Sequence, residues 1–116
     1  LEKAGLLPGL VVDCSHGNSK KLHQSQLRVA GELCRQLRGG SNTIAAVMVE
    51  SFLQGGSQKP APLNELAYGQ SVTDACLCWD DTQTLLAMLA EAVELRRQSR
   101  TRRQPGTVHW DAQLAS

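Results

Sequence analysis

Aromatic residues are scarce in this 116-residue chain, at 3%: Phe52, Tyr68, Trp79 and Trp110. Such scarcity argues against an interface or nucleic-acid surface built on stacked rings. Cysteine is sparse as well. Cys14, Cys34, Cys76 and Cys78 lack the density of a secreted disulfide scaffold, which favours a reducing, cytoplasmic setting. Long apolar runs are missing. Ile44–Val49 and Leu85–Ala90 are the longest, far short of the roughly 18 residues a membrane span needs. The N-terminus carries no signal-peptide pattern. Net charge is small, at +1, but unevenly placed. Residues 1–95 hold seven Lys/Arg against ten Asp/Glu, and residues 96–116 hold five Arg against one Asp. The arginines of Arg96–Arg103 carry no recognition motif, so they read as a solvated helix end and tail. Neither a nucleic-acid partner nor a membrane is expected.

What is present is ordinary globular composition, 41% hydrophobic and 20% charged, in one domain's length at most. The chain starts at Leu1 without Met. Leu1–Gly5 reads like the end of a helix already under way, closed by Gly5, so the expectation is the last part of a larger protein.

Leu10–Cys14 is a short apolar run after Pro8-Gly9 and reads as a buried strand. Ser15–Asn18 is a turn, and Asn18 or Ser19 can cap the helix that follows. Leu22, Val29, Ala30, Leu33, Cys34 and Leu37 give that helix one apolar stripe, and Gly39-Gly40 ends it. Ile44–Val49 is apolar throughout, as expected of a parallel strand covered on both faces. A polar stretch, Ser51–Ser71, follows; a loop this long is functional or disordered. A second helix should start near Asp80 as cap, with Gln83 three residues on. Leu85, Leu86, Met88, Leu89, Ala92 and Val93 form its buried stripe, and Arg96 and Arg97 suit its dipole. From Gln98 the periodicity fades, Pro105-Gly106 breaks any helix, and residues 98–116 read as a basic, disordered tail. Two strands cannot finish an α/β sheet. The pattern fits the last two strand–helix units of a (β/α)₈ barrel or the edge of a doubly wound sheet.

In parallel α/β folds, sites form at the carboxyl ends of strands. His16 lies just past the first strand, Glu50 just past the second, and Asp74 after the long loop. One imidazole and two carboxylates make a ligand set for a divalent transition metal. The plainer roles are a hydrogen-bonded His16, a capping Glu50 and a turn-forming Asp74. His23 reads as solvated, His109 as inert and Cys34 as helix core. Cys76-x-Cys78 has the wrong spacing for a redox pair or zinc knuckle. A softer site of Cys14, His16, Cys76 and Cys78 stays open at this point.

Three blocks sharpen the reading. Val12-Asp13-Cys14-Ser15-His16-Gly17-Asn18 resembles the D-x-SHAN signature of class I 3-deoxy-D-arabino-heptulosonate 7-phosphate (DAHP) synthases. Val47-Met48-Val49-Glu50-Ser51 is similar to that family's strand-eight motif, and Leu66–Cys76 (LAYGQSVTDAC) to its LAYG-x-S-[IV]-T-D-A-C segment. Trp79 and Asp81-Thr82 continue the match, which covers roughly residues 1–97. The resemblance implies the C-terminal portion of a (β/α)₈ barrel, incomplete as an isolated chain.

It further implies an aldol-type transferase that joins phosphoenolpyruvate to erythrose 4-phosphate and releases phosphate, the first step of the shikimate pathway. The implied metal ligands are His16, Glu50 and Asp74, with a Cys ligand on an upstream strand that is not Cys14. His16 and Asp74 are the implied catalytic residues, and Asp74 is a candidate to take a proton from a water held by the metal. The implied cofactor is a divalent ion: Mn, Fe, Co or Zn. The family's phosphate-holding basic residues also lie upstream, so the isolated chain is expected to be inactive and the complete protein a homo-oligomer. Gln70, where Lys is frequent, and Cys78, where Gly is usual, depart from the pattern. Asp13 or Ser15 is expected to orient His16 through its second nitrogen, although strand alternation points both away from the His16 face. A related 3-deoxy-8-phosphooctulonate synthase is the alternative within the same chemistry, and a non-catalytic fragment the alternative outside it.

Overall fold

A computed structural model describes residues 2–16 and 24–103. The expected cap at Asn18 or Ser19, as well as Leu22, His23, His109 and the Pro105-Gly106 break, lies outside these residues. The first element is a 3₁₀ turn, Glu2–Ala4, closed by Gly5 at φ +69°. Strand β1 spans Leu10–Asp13 and strand β2 spans Ile44–Met48. They pair in parallel, with Val12 beside Val47 and Asp13 beside Met48, and the register shifts once between Leu10 and Val11. The Cys14 N–H donates to the Met48 carbonyl at 2.9 Å, so pairing continues to the lip of the turn.

Helix α1, Ser25–Arg38, crosses between the strands. It ends in Gly39 and in Gly40, whose φ of +95° is a left-handed conformation that glycine adopts without strain. Helix α2 spans Trp79–Arg103. Its cap is Cys78 rather than Asp80. The Cys78 carbonyl accepts from Thr82 N–H at 3.0 Å, and its sulfur accepts from Asp81 N–H at 3.5 Å. Asp80 instead sits in the first turn, where a carboxylate favours the positive end of the helix dipole.

The core lies between the strand pair and the two helices. Cys14, Leu33, Cys34, Leu37, Ile44 and Ala92 are buried together, with Val12, Val47, Val49, Met88, Leu89 and Val93 packed against them. Ala30, Leu77 and Leu85 form a second cluster nearer the strands' carboxyl ends. Three expectations are corrected. Val11 and Met48 are exposed, so the strands are covered on one face only: both helices lie on the same side. Leu86 is exposed, one residue off the stripe carried by Leu85, Leu89 and Ala92. The second helix also does not fade at Gln98; Arg100 reaches Asn42 Oδ1 and holds the continuation to Arg103 against the loop before β2.

The stretch between β2 and α2 is ordered rather than loose. Phe52 N–H donates to the Leu77 carbonyl, Gln54 N–H to Gly69, and Gly56 and Cys76 exchange two backbone bonds. Glutamines replace missing strand partners: Gln58 bonds the Ala67 backbone from both ends of its amide, and Gln70 donates to the Gly55 carbonyl. Gly69 has φ +75°, and a Cβ there would lie 2.9 Å from Leu53 Cβ, so only glycine fits. This packing carries Asp74 back over the ends of the strands.

Candidate metal centre

Three segments meet at the carboxyl end of the strand pair. The turn after β1 supplies His16, the residues after β2 supply Glu50, and the folded loop supplies Asp74. His16 Nε2 lies 3.3 Å from Asp74 Oδ2 and 3.4 Å from Glu50 Oε1. One donor atom from each of the three falls within 4.8 Å of the others. All three side chains reach solvent, Asp74 most of all. Among the described residues this is the one such group of histidine, cysteine or acidic side chains.

The other face of the ring is fixed. His16 Nδ1 stands 2.7 Å from Asp13 Oδ2, while Asp13 Oδ1 accepts from the Ser15 N–H at 2.7 Å and the His16 N–H at 3.3 Å. Nδ1–H donates to Asp13, and Nε2 faces the two carboxylates, donating to Asp74 Oδ2 while the ring is protonated and offering a lone pair to a cation once that proton leaves. Asp13 thus orients His16, against the strand-alternation argument. β1 stops at Asp13, and the turn that begins there swings His16 back over its carboxylate. Ser15 does not orient the ring; its hydroxyl accepts the Glu50 N–H at 2.8 Å.

The electrostatics follow from this geometry. Hydrogen bonds to Asp13 and then to Asp74 raise the His16 pKa above its ordinary value, against some desolvation. Desolvation would raise the Asp13 pKa, but the bonds from Ser15 and His16 outweigh it and hold the carboxyl below its usual range. Asp13, Glu50 and Asp74 put three carboxylates around one imidazole, and a divalent cation bound there would offset two of those charges. Ligands about 2.0–2.2 Å from one zinc-like ion stand roughly 3.0–3.5 Å apart, the range in which the two His16–carboxylate distances fall. The donor set and its spacing fit a divalent ion.

The cysteines take no part. Cys14 is fully buried against Leu33 and Cys34, and desolvation raises its thiol pKa, as it does at Cys34 and Cys76. Cys78 caps α2. The softer Cys14–His16–Cys76–Cys78 site is therefore not formed.

A family model described as the DAHP synthetase I family matches residues 1–87. The chain belongs to the DAHP synthetase I family. Its two strand–helix units are an open portion of a (β/α)₈ barrel. Over 87 residues the chain is 53% identical to the Trp-sensitive phospho-2-dehydro-3-deoxyheptonate aldolase of Escherichia coli K12, covering 75% of this chain and 25% of that one. It is 46% identical over 103 residues to the tyrosine-inhibited enzyme of Schizosaccharomyces pombe, covering 85% and 28%. The structure of the Francisella tularensis SCHU S4 aldolase superposes with a TM-score of 0.76 at 45% identity, over 82% of this chain and 27% of that one. The chain thus spans about a quarter of the length of the DAHP synthetase I relatives it matches.

Sequence reasoning missed one buried polar residue of this region. Gln26 is fully buried on α1 and bonds both the Glu50 backbone and Ser15. A signal existed: Gln26 precedes Ala30, Leu33 and Leu37 by helical spacing, which puts an amide on the core face.

Proposed function

We propose that this chain is the C-terminal part of a 3-deoxy-7-phosphoheptulonate synthase and contributes three ligands to its divalent metal. The observation that carries the reading is the convergence of His16 Nε2, Glu50 and Asp74 at the carboxyl end of a parallel strand pair, in a chain of this family. The reaction joins phosphoenolpyruvate to erythrose 4-phosphate. The enol carbon attacks the aldehyde, water adds to the other enol carbon, and phosphate leaves by C–O cleavage. When bound, the ion would supply Lewis-acid polarisation of the aldehyde oxygen.

The residues of this chain have distinct duties. Asp13 keeps the His16 proton on Nδ1 so that Nε2 can donate a lone pair. Glu50 contributes a carboxylate from a peptide held on both sides. Asp74, the most open of the three, accepts the proton from the water that adds to the substrate. His16 and Asp74 are the catalytic assignment, and His16, Glu50 and Asp74 the metal assignment; Mn, Fe, Co and Zn all suit the donor set. Residues 1–97 form the barrel portion and 98–116 a basic extension. Val11 and Met48 are uncovered, which supports a chain that works within a larger barrel and is inactive alone. The complete protein is assigned to the cytoplasm, as a homo-oligomer. No helix among the described residues is long and apolar enough to cross a membrane.

The test is phosphoenolpyruvate consumption and phosphate release by the intact protein with Mn²⁺. Turnover should need erythrose 4-phosphate and vanish in His16→Ala. Faster turnover with arabinose 5-phosphate would assign the eight-carbon synthase instead. Unchanged turnover in His16→Ala would overturn the metal reading.

A further inference from the structure

Behind the three convergent side chains lies a polar assembly inside an otherwise apolar core. Gln26 is 0% exposed and Ser15 5% exposed. Both are directed at the peptide of Glu50. The Glu50 N–H is shared between Ser15 Oγ at 2.8 Å and Gln26 Oε1 at 3.2 Å. The Ser15 hydroxyl donates its own proton to Gln26 Oε1 at 3.0 Å. Gln26 Nε2 donates to the Glu50 carbonyl at 3.2 Å, and that carbonyl also accepts the Leu77 N–H at 3.0 Å.

A buried primary amide is costly unless its groups are bonded, so its placement must serve something that an apolar residue could not. Helix packing alone would be served by leucine at position 26, in line with Leu33 and Leu37. What the amide adds is a second partner for both the N–H and the carbonyl of Glu50. Glu50 lies two residues past the end of β2, where its carbonyl is held in the bridge to Leu77 but its N–H is held by Ser15 and Gln26 side chains alone. Ser15 adjoins His16, and Leu77 lies three residues from Asp74. One network therefore holds the Glu50 backbone and connects it to Ser15, next to His16, and to Leu77, three residues from Asp74.

We infer that Gln26 and Ser15 are positioning residues that set where the Glu50 carboxylate stands relative to His16 and Asp74, and so set the affinity and geometry of metal binding. The inference rests on the metal reading above. Partners of this outer kind change metal affinity by about 10–100-fold when removed.

The probe is Co²⁺ alone, titrated into the intact protein and followed by its visible ligand-field bands and by competition with a chromophoric chelator. Thermal unfolding is recorded alongside. Gln26→Met keeps the side-chain volume and removes the amide; Ser15→Ala removes the hydroxyl with less risk to folding. Leu37→Ala serves as the matched control, since it opens the same core at the far end of α1. The expected result is Co²⁺ binding at least about tenfold weaker in Gln26→Met, with altered bands at saturation, and a smaller loss in Ser15→Ala. Leu37→Ala should melt lower and bind as the unmodified protein does.

Unchanged affinity and bands in Ser15→Ala and in folded Gln26→Met would overturn the inference while leaving the metal reading intact. Equal weakening in Leu37→Ala would also overturn it, because the effect would then be general loosening. Absence of Co²⁺ binding by the unmodified protein would overturn both.

Discussion

The two ends of the strand pair use polar groups in opposite ways. At the carboxyl end, buried groups hold a backbone so that ionisable side chains point outward and converge: Gln26 and Ser15 bond the Glu50 peptide, and Asp13 bonds the far side of His16. At the amino end, Arg96 turns inward and finishes the backbone, while exposed Arg100 ties a loop side chain. Arg96 Nη1 donates to the carbonyls of Ser41 at 3.2 Å and Ile44 at 3.3 Å, and Arg100 bonds Asn42. The first arrangement gathers the ligand atoms where a cation can reach them. The second consumes the charge in tying α2 to the start of β2. The comparison separates a site from a brace: residues at one end should move metal affinity, and residues at the other should move stability alone.

The largest expected effect is loss of a ligand. His16→Ala should weaken divalent metal binding by more than about 100-fold, beyond the range seen for outer partners, with little change in unfolding temperature once the metal is chelated. Isothermal titration with Mn²⁺ reads this directly. Next comes Asp13→Asn, which keeps the shape of the carboxylate but weakens its hold on Nδ1. Metal affinity should fall by about 10–100-fold in the same titration. An unchanged value would mean that the ring needs no partner on that side.

Proton competition should follow. The His16 pKa is raised above 6.5 by Asp13 and Asp74. In the metal-free protein this contributes stability that is present below 6.5 and lost as pH rises through the raised value. Metal binding has the opposite sign, because it needs Nε2 unprotonated. Affinity should fall by about tenfold per pH unit once pH drops below the raised value. A plot of log Kd against pH that stays flat down to pH 5.5 would contradict this. The smallest effect on the site belongs to the brace. Arg96→Met should lower stability by about 1–3 kcal/mol, from two lost bonds to a charged donor, and leave metal affinity unchanged. Denaturant unfolding and the Mn²⁺ titration together check it.

The same contrast explains what could be read from the sequence. Apolar runs at Leu10–Cys14 and Ile44–Val49 locate the strands to within a residue of Leu10–Asp13 and Ile44–Met48. The three side chains that converge were legible because His16 and Glu50 follow strand ends and Asp74 sits in a resembling block. The sequence points to Asp13 or Ser15 as the residue that orients His16, but alternation could not choose between them, because it holds only along a strand and β1 ends at Asp13. Gln26 was hidden by its company on an apolar helix face. The cover over the strands was misread because a fully apolar sequence such as Ile44–Val49 does not say which neighbour covers each face. Val11 and Met48 show that these two helices cover only one. The extension of α2 past Gln98 depends on Arg100 meeting Asn42, a contact 58 positions apart that periodicity cannot encode.

The most direct test of the central claim is crystallographic: anomalous diffraction at the zinc edge from crystals of the intact protein grown with Zn²⁺. The account predicts one strong peak about 2.0–2.2 Å from His16 Nε2, bounded by the Glu50 and Asp74 carboxylates. A peak held by other residues, with none beside His16 Nε2, would contradict it.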